Sequence, residues 1–254
     1  MIHEQIAIIG SGNMGQAIAR GLLDKKIASQ QQLHLTNSQT GNKDAVKNAT
    51  IIILAIKPQV KDTVFQEIQE VITDQLVISV MAGVTIDTIQ NALKKIGVVR
   101  VMPNIAAKIG KSMSVWVKSP EVTATQVTQA EHILEAIGQQ LELQTEDQID
   151  KATAISGSGP AYFFYLTELL ENAAKEIGFS PQDAKVLAEQ TLVGSAELLQ
   201  VTKDSAENLR RAVTSKGGTT EAAIETLQKE NLQDTFIKGI KAAYKRATQL
   251  GKNT

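Results

Sequence analysis

The first half of the chain is written in short apolar runs that alternate with amphipathic stretches. Gln5–Ile9 is a β-branched run without polar alternation, the pattern of a strand buried on both faces. A helical pattern follows, with Met14, Ala17, Ile18, Gly21 and Leu22 on one stripe. Further strands are predicted at Leu33–Thr36, Ile51–Ile56, Leu76–Val80 and Val98–Met102. Between them fall a brief helix at Asp44–Asn48 and helices striped by Val60, Val64, Ile68 and Val71, then by Ile86, Ile89, Leu93 and Ile96. Such alternation implies a parallel sheet with helices on both faces. Ser112–Lys118 sets Met113, Val115 and Val117 against mostly polar positions and reads as a strand with one wetter face; a helix at Val122–Ile137 and a strand at Gln140–Gln144 follow.

From about residue 150 strand signals cease. Ser156-Gly157-Ser158-Gly159-Pro160 breaks the chain, and Ala161–Ile177 is then apolar around most of a helix. Ser180 as N-cap and Pro181 in the first turn start another helix, which runs to about Gln200. Helices at Ala206–Val213, Glu221–Lys229 and Leu232–Leu250 complete the pattern. The expected fold is α/β: a doubly wound, mainly parallel sheet over residues 1–150, followed by an all-α domain over 151–254. Tyr162, Phe163, Phe164, Leu166, Leu169 and Leu170 cannot all face one monomer's core, so the helical domain is expected to form a homodimer or a higher homo-oligomer.

Composition narrows the possibilities. Lys+Arg 26 against Asp+Glu 27 gives a formal charge of -1 and no electrostatic case for nucleic acid or an anionic membrane. The absence of cysteine excludes disulfides and thiolate chemistry, and His3, His34 and His132 are too scattered to suggest a metal site. The N-terminus lacks a basic n-region and a cleavage site, and no apolar run approaches ~18 residues, so a soluble, cytoplasmic protein is expected.

Two glycine-bearing stretches carry the candidate chemistry. Gly10-Ser11-Gly12-Asn13-Met14-Gly15 joins the first strand to the first helix, the context that makes GxGxxG a dinucleotide fingerprint. Gly10 makes the tight turn, Gly12 lets a pyrophosphate approach and Gly15 lets helix pack on strand. In open sheets ligands bind at the carboxyl ends of the strands. Those ends here carry Asn37 and Ser38, Ala55-Ile56-Lys57-Pro58, Ala82 and Gly83, and Asn104. Ala55, Ala82 and Gly83 are small enough for a flat nicotinamide ring to lie close, whereas Lys57 by itself reads more readily as a solvated loop lysine. The second stretch is Thr214-Ser215-Lys216-Gly217-Gly218-Thr219-Thr220, which passes directly into a helix. Adjacent glycines and a helix N-terminus converge main-chain N–H groups into a seat for a carboxylate or phosphate. A plain loop with a threonine N-cap would carry the same residues.

Taken together, G-S-G-N-M-G at 10–15, A-I-K-P-Q at 55–59, S-V-M-A-G at 79–83, R-V-M-P-N at 100–104, S-G-S-G-P-A-Y at 156–162 and T-S-K-G-G-T-T at 214–220 resemble the pyrroline-5-carboxylate reductase family over essentially the whole chain. The resemblance implies NAD(P)H-dependent reduction of L-1-pyrroline-5-carboxylate, a cyclic imino acid, to L-proline. It also implies a Rossmann-like first domain and a helical domain interlocked with a second subunit. It places substrate at Ser215, Gly217, Gly218, Thr219 and Thr220, with the Thr220 hydroxyl on the imine nitrogen. Lys216 stands where the family commonly has proline, and Ile105-Ala106 where Thr-Pro is common.

Family members also carry a further helix and strand between the positions of Ser38 and Asn42. Either this sheet has lost its peripheral strand, or a loop is missing from the chain as given. The second alternative is the expectation, with a Cα–Cα gap far beyond ~3.8 Å between Asn37 and Lys43. Thr36-Asn37-Ser38 offers no acidic residue to hold a ribose 2′-hydroxyl, which favours NADPH, with NADH possible. Two other readings compete. One is a β-hydroxyacid dehydrogenase using Lys175; the other is a nucleotide-sensing homologue without turnover.

Overall fold

The computed structural model describes residues 4–37, 41–94 and 96–252. Seven strands, β1 (Ile6–Ile9), β2 (Leu33–Thr36), β3 (Ile51–Leu54), β4 (Leu76–Ser79), β5 (Val98–Met102), β6 (Ser112–Lys118) and β7 (Gly138–Glu142), form one sheet in the order β2-β1-β3-β4-β5-β6-β7. Pairing is parallel throughout except between β5 and β6. The helices of this part are α1 (Asn13–Asp24), α2 (Asn42–Lys47), α3 (Lys61–Ile68), α4 (Ile86–Leu93), α5 (Ala124–Glu135) and α6 (Glu146–Ala152).

Side-chain alternation along the strands divides the core into two layers. Ile6, Ile8, Ile51, Ile53, Leu76, Ile78, Val99, Val101 and Trp116 pack with Ala17, Ile18 and Leu22 of α1 and Ala130, Ile133 and Leu134 of α5. Ile9, Ile52, Leu54, Val77, Val98, Val115 and Val117 face α2, α3, α4 and α6 through Val46, Val64, Phe65, Ile68, Ile86, Ile89, Leu93 and Ile149. Burial on both sides is why β1 and β3 read as unbroken apolar runs.

The structure departs from the sequence reading in three places. β6 has no wet face over Ser112–Trp116: Ser112, Ser114 and Trp116 are buried at 2%, 0% and 0% exposure, because α1 and α5 pack over that side of the sheet. Their polar atoms stay satisfied, with the Asn104 N–H donating to Ser112 Oγ at 3.0 Å and Trp116 Nε1 donating to Gln140 Oε1 at 2.7 Å. β7 starts at Gly138 rather than Gln140. Gly138 has φ 151°, and a Cβ there would fall 2.1 Å from Ser112 O, so only glycine lets the two strands come together. Thirdly, α6 carries no apolar stripe and was not anticipated. One apolar residue, Ile149, anchors it, and charge adds the rest: Arg100, 4% exposed on β5, meets Glu146 Oε1 at 2.9 Å and Asp150 Oδ1 at 3.1 Å.

β2 is the outermost strand on its side among the described residues. The chain returns from it across β1 to β3 through α2. Thr36 Oγ1 donates to Asn42 Oδ1 at 2.7 Å, and the buried Asn42 donates in turn to Glu67 Oε2 at 2.7 Å, tying this short return to α3. The gap expected between Asn37 and Lys43 centres on residues 38–40, outside the described residues.

By contact the chain divides into Met1–Pro160 with Ala242–Thr254, and Ala161–Lys241. The boundary expected at residue 150 falls within α6. The second part is helical, drawn from α7 (Gly159–Glu176), α8 (Pro181–Thr202), α9 (Ala206–Ala212), α10 (Thr219–Lys229) and α11 (Leu232–Lys252), whose last turns belong to the first part. Ser180 caps α8 by accepting the Asp183 N–H, with Pro181 at the first helical position. Within the second part few side chains are buried: Phe163, Phe164 and Ile177 remain 59%, 62% and 77% exposed.

Candidate active site

Three glycines build the turn between β1 and α1, each for a different reason. Gly10 has φ 111°, and a Cβ there would sit 2.5 Å from Ala55 O. At Gly15 a Cβ would lie 1.9 Å from Gly10 O, so turn and helix meet backbone to backbone. Gly12 has nothing within 4 Å of its Cβ position, which leaves open space above the start of α1. Gly12 is the N-cap, no side chain caps the helix and no acidic residue stands in its first turn. Ser11, Gly12 and Asn13 are exposed, while Met14 packs against the core. The first-turn N–H groups and the positive end of the helix dipole thus face open space, an arrangement suited to an anion.

Main-chain bonds align the neighbouring strand ends with this turn: Gly10 N to Thr36 O at 3.0 Å, Ala55 N to Ile9 O at 2.8 Å and Val80 N to Leu54 O at 3.0 Å. Asn37, Ala55, Ala82 and Gly83 therefore follow on along the carboxyl edge, Gly83 with φ 77°. Lys57 is exposed and has no ion pair among the described residues; Pro58 opens a 3-10 turn over Pro58–Val60. The Ile56 side chain is buried in the core layer under α3, so only its main chain is available at this edge. Asn104 Oδ1 accepts the Ala106 N–H at 3.0 Å and its Nδ2 donates to Ser156 O at 3.0 Å, so its amide is a bracket between two turns. Ser38 lies outside the described residues.

Beside β2 a cavity of about 660 Å³ is lined by Ala19, Leu33, Leu35, Thr36, Gly41 and Asp44 among others. Lys43, the cation nearest this end in sequence, is paired with Glu70 at 2.7 Å. The hydrogen bond and charge of each partner raise the Lys43 pKa and lower that of Glu70.

The 214–220 turn belongs to the helical part. Gly217 has φ 72°, the left-handed conformation expected of the glycine pair, while Gly218 is the N-cap of α10. The Gly218 N–H donates to Ser215 O at 3.0 Å, and a Cβ on Gly218 would lie 2.6 Å from Ser215 Oγ. Hydroxyls elsewhere in this part mostly fold back onto the preceding turn, as Thr191 does on Leu187 O, Thr214 on Arg210 O and Thr226 on Ala222 O. Thr219 and Thr220 stand in the first turn, where no helical carbonyl precedes them. Among the described residues neither hydroxyl has a partner, and Thr220 is half-buried. Sequence reasoning overlooked Glu221. Its Oε2 accepts the Gly217 N–H at 2.6 Å. The signal was its place as third residue of the helix, where acidic side chains reach back to N-terminal N–H groups.

Comparison with known proteins identifies the family. Residues 146–250 match a family model for pyrroline-5-carboxylate reductase dimerisation, and residues 5–83 match one described as NADP oxidoreductase, coenzyme F420-dependent. Pyrroline-5-carboxylate reductase 2 of Bacillus subtilis is 35% identical over 265 aligned residues, covering 97% of this chain and 95% of the relative. The Synechocystis pyrroline-5-carboxylate reductase is 33% identical and covers 98% of each chain. The solved structure of a pyrroline-5-carboxylate reductase from Coxiella burnetii matches with a TM-score of 0.90 at 35% identity, over 98% of this chain and 99% of that one. That of the Plasmodium falciparum pyrroline carboxylate reductase, with NADP bound, matches with a TM-score of 0.87 at 26% identity, over 99% of each. A Rossmann-like nucleotide turn, small residues along the strand ends, a glycine turn opening a helix and full-length identity above 30% lead to one conclusion: the chain belongs to the pyrroline-5-carboxylate reductase family, the oxidoreductases of the last step of proline biosynthesis.

Proposed function

We propose that this chain reduces L-1-pyrroline-5-carboxylate to L-proline, with NADPH preferred over NADH, as a cytoplasmic homodimer or larger homo-oligomer. The observation that carries the reading is the pair of uncommitted threonine hydroxyls at the open N-terminus of α10, beside a left-handed glycine. The N–H groups of that turn suit the substrate carboxylate, with Ser215 and Thr219 at its rim. With the carboxylate anchored, the ring is oriented and its imine nitrogen comes within reach of Thr220 Oγ1. The nicotinamide, when bound, supplies a hydride to ring carbon C5. The C=N electron pair would move onto nitrogen, which takes its proton from solvent, and Thr220 would donate the hydrogen bond that stabilises it. Anchoring and orientation are the main contributions this chain makes to the barrier.

At the other end, Gly10, Ser11, Gly12, Asn13, Met14 and Gly15 would hold the pyrophosphate, and Ala55, Ala82 and Gly83 would floor the nicotinamide. NADPH is favoured because β2 ends in Thr36-Asn37, without a carboxylate to repel a 2′-phosphate. The Lys43–Glu70 pair leaves that phosphate little compensating charge, so the preference is small. Dimerisation follows from the uncovered aromatic face of α7. The test is oxidation of NADPH and NADH followed with pyrroline-5-carboxylate, then with hydroxyacid and β-keto acid pairs. Turnover confined to the cyclic imine supports the reading. Turnover of hydroxyacids, or dinucleotide binding with no turnover at all, overturns it.

A further inference from the structure

We infer that Glu221 is an intramolecular carboxylate occupying the Gly217–Gly218 turn, which the substrate carboxylate must displace, so that Glu221 sets substrate affinity and the discrimination between acids and neutral analogues. The inference rests on the reading of the 214–220 turn as the substrate site. The Glu221 Oε2 lies 2.6 Å from Gly217 N, so the carboxylate accepts directly from this main-chain N–H. An ordinary capping box would not produce this contact. There the third helical residue takes the N–H of the N-cap itself. Here that N–H, on Gly218, is already given to Ser215 O, and Glu221 reaches one residue further out to Gly217. Glu221 is half-buried and, among the described residues, has no cationic partner: the neighbouring Lys216 makes no ion pair with it. A carboxylate held by main-chain N–H alone has the chemistry expected of the substrate's own anion. It therefore marks the turn as a carboxylate seat and competes for it.

Two carboxylates converging on the same N–H groups repel, so one must leave. Glu221 is tethered by rotatable bonds and half-exposed, free to swing into solvent at the cost of its bond to Gly217. A neutral side chain of the same shape keeps the hydrogen bond and removes the repulsion.

Glu221→Gln is expected to lower KM for pyrroline-5-carboxylate by about three- to tenfold, the modest size of a partly exposed charge effect, with kcat moved less than KM. The variant should also bind L-proline more tightly while leaving the affinity for L-prolinamide, which lacks the carboxylate, nearly unchanged. Glu221→Ala, which removes both charge and bond, should share the gain in carboxylate selectivity despite a lower Tm. A Tm loss in both variants with KM unchanged or raised would make Glu221 a helix cap alone and overturn the inference, leaving the substrate reading intact. Failure of the wild-type protein to reduce pyrroline-5-carboxylate would remove both.

Discussion

Thr220 and Gly12 are matched by few other positions for how far a single atom changes the chemistry. Replacing Thr220 by Val keeps the shape of the first turn of α10 but removes the hydroxyl proposed to donate to the imine nitrogen. That bond is worth about 1.5–3 kcal/mol, so kcat/KM should fall about 10–150-fold, while Thr220→Ser retains most activity. A change within about threefold for the valine variant would refute the role. Two of the three glycines of the nucleotide turn should separate stability from binding. Gly10→Ala forces a side chain at φ 111° against Ala55 O and should cost at least about 1–3 kcal/mol in urea unfolding. Gly12→Ala meets no protein atom within 4 Å at an ordinary φ of −72°, so the Tm should hold while dinucleotide Kd rises about tenfold or more. The glycine turn itself was legible because its spacing falls between a strand and a helix, whereas the part proposed for Thr220 came from the family resemblance. The Ile56 side chain and the Asn104 amide were not legible as core and bracket, since both follow from partners remote in sequence.

Among the elements, α6 shows why an apolar stripe is not the only way to seat a helix. Arg100 reaches Glu146 and Asp150 from a buried position on β5, and Glu146 also accepts the Ile86 N–H at 3.0 Å. Arg100→Met would strip two partly buried carboxylates of their cation, at a cost of about 3–5 kcal/mol by denaturant titration. A second polar tie joins α6 to the end of α11. Asp147 is hydrogen-bonded by Lys151 and by the Tyr244 hydroxyl, and these two, Lys151 first, hold its pKa below the ordinary carboxylate value. A depressed folded pKa stabilises above the unfolded pKa of about 3.9 and loses that stabilisation as pH falls through the folded value. Asp147→Asn should therefore lower the Tm at pH 7, with the difference from wild type shrinking below about pH 4. Strands β1, β3, β4 and β5 could be read from their apolar runs. β6 misled because buried serines that find hydrogen-bond partners look like surface residues in a pattern of hydrophobicity alone.

For the molecule as a whole, the exposed aromatic and aliphatic side chains of α7 and α8 form a larger apolar surface than a lone chain sustains in water. Sedimentation at low micromolar concentration should show no stable species near the chain's 27.4 kDa. A monomer of that mass would refute the dimer. Local periodicity and the order of motifs were enough to determine the α/β class, the helical C-terminal region and the family, because buried strands, capped helices and glycine turns write themselves into neighbouring residues. Tertiary contact decided the rest. The antiparallel entry of β6, the return of the last turns of α11 to the sheet-bearing part, the seat of α6 on Arg100 and the hold of Glu221 on Gly217 depend on groups meeting through space. Which of several polar side chains is buried, paired or free is an energy balance among such groups, and no stretch of sequence carries all of its terms.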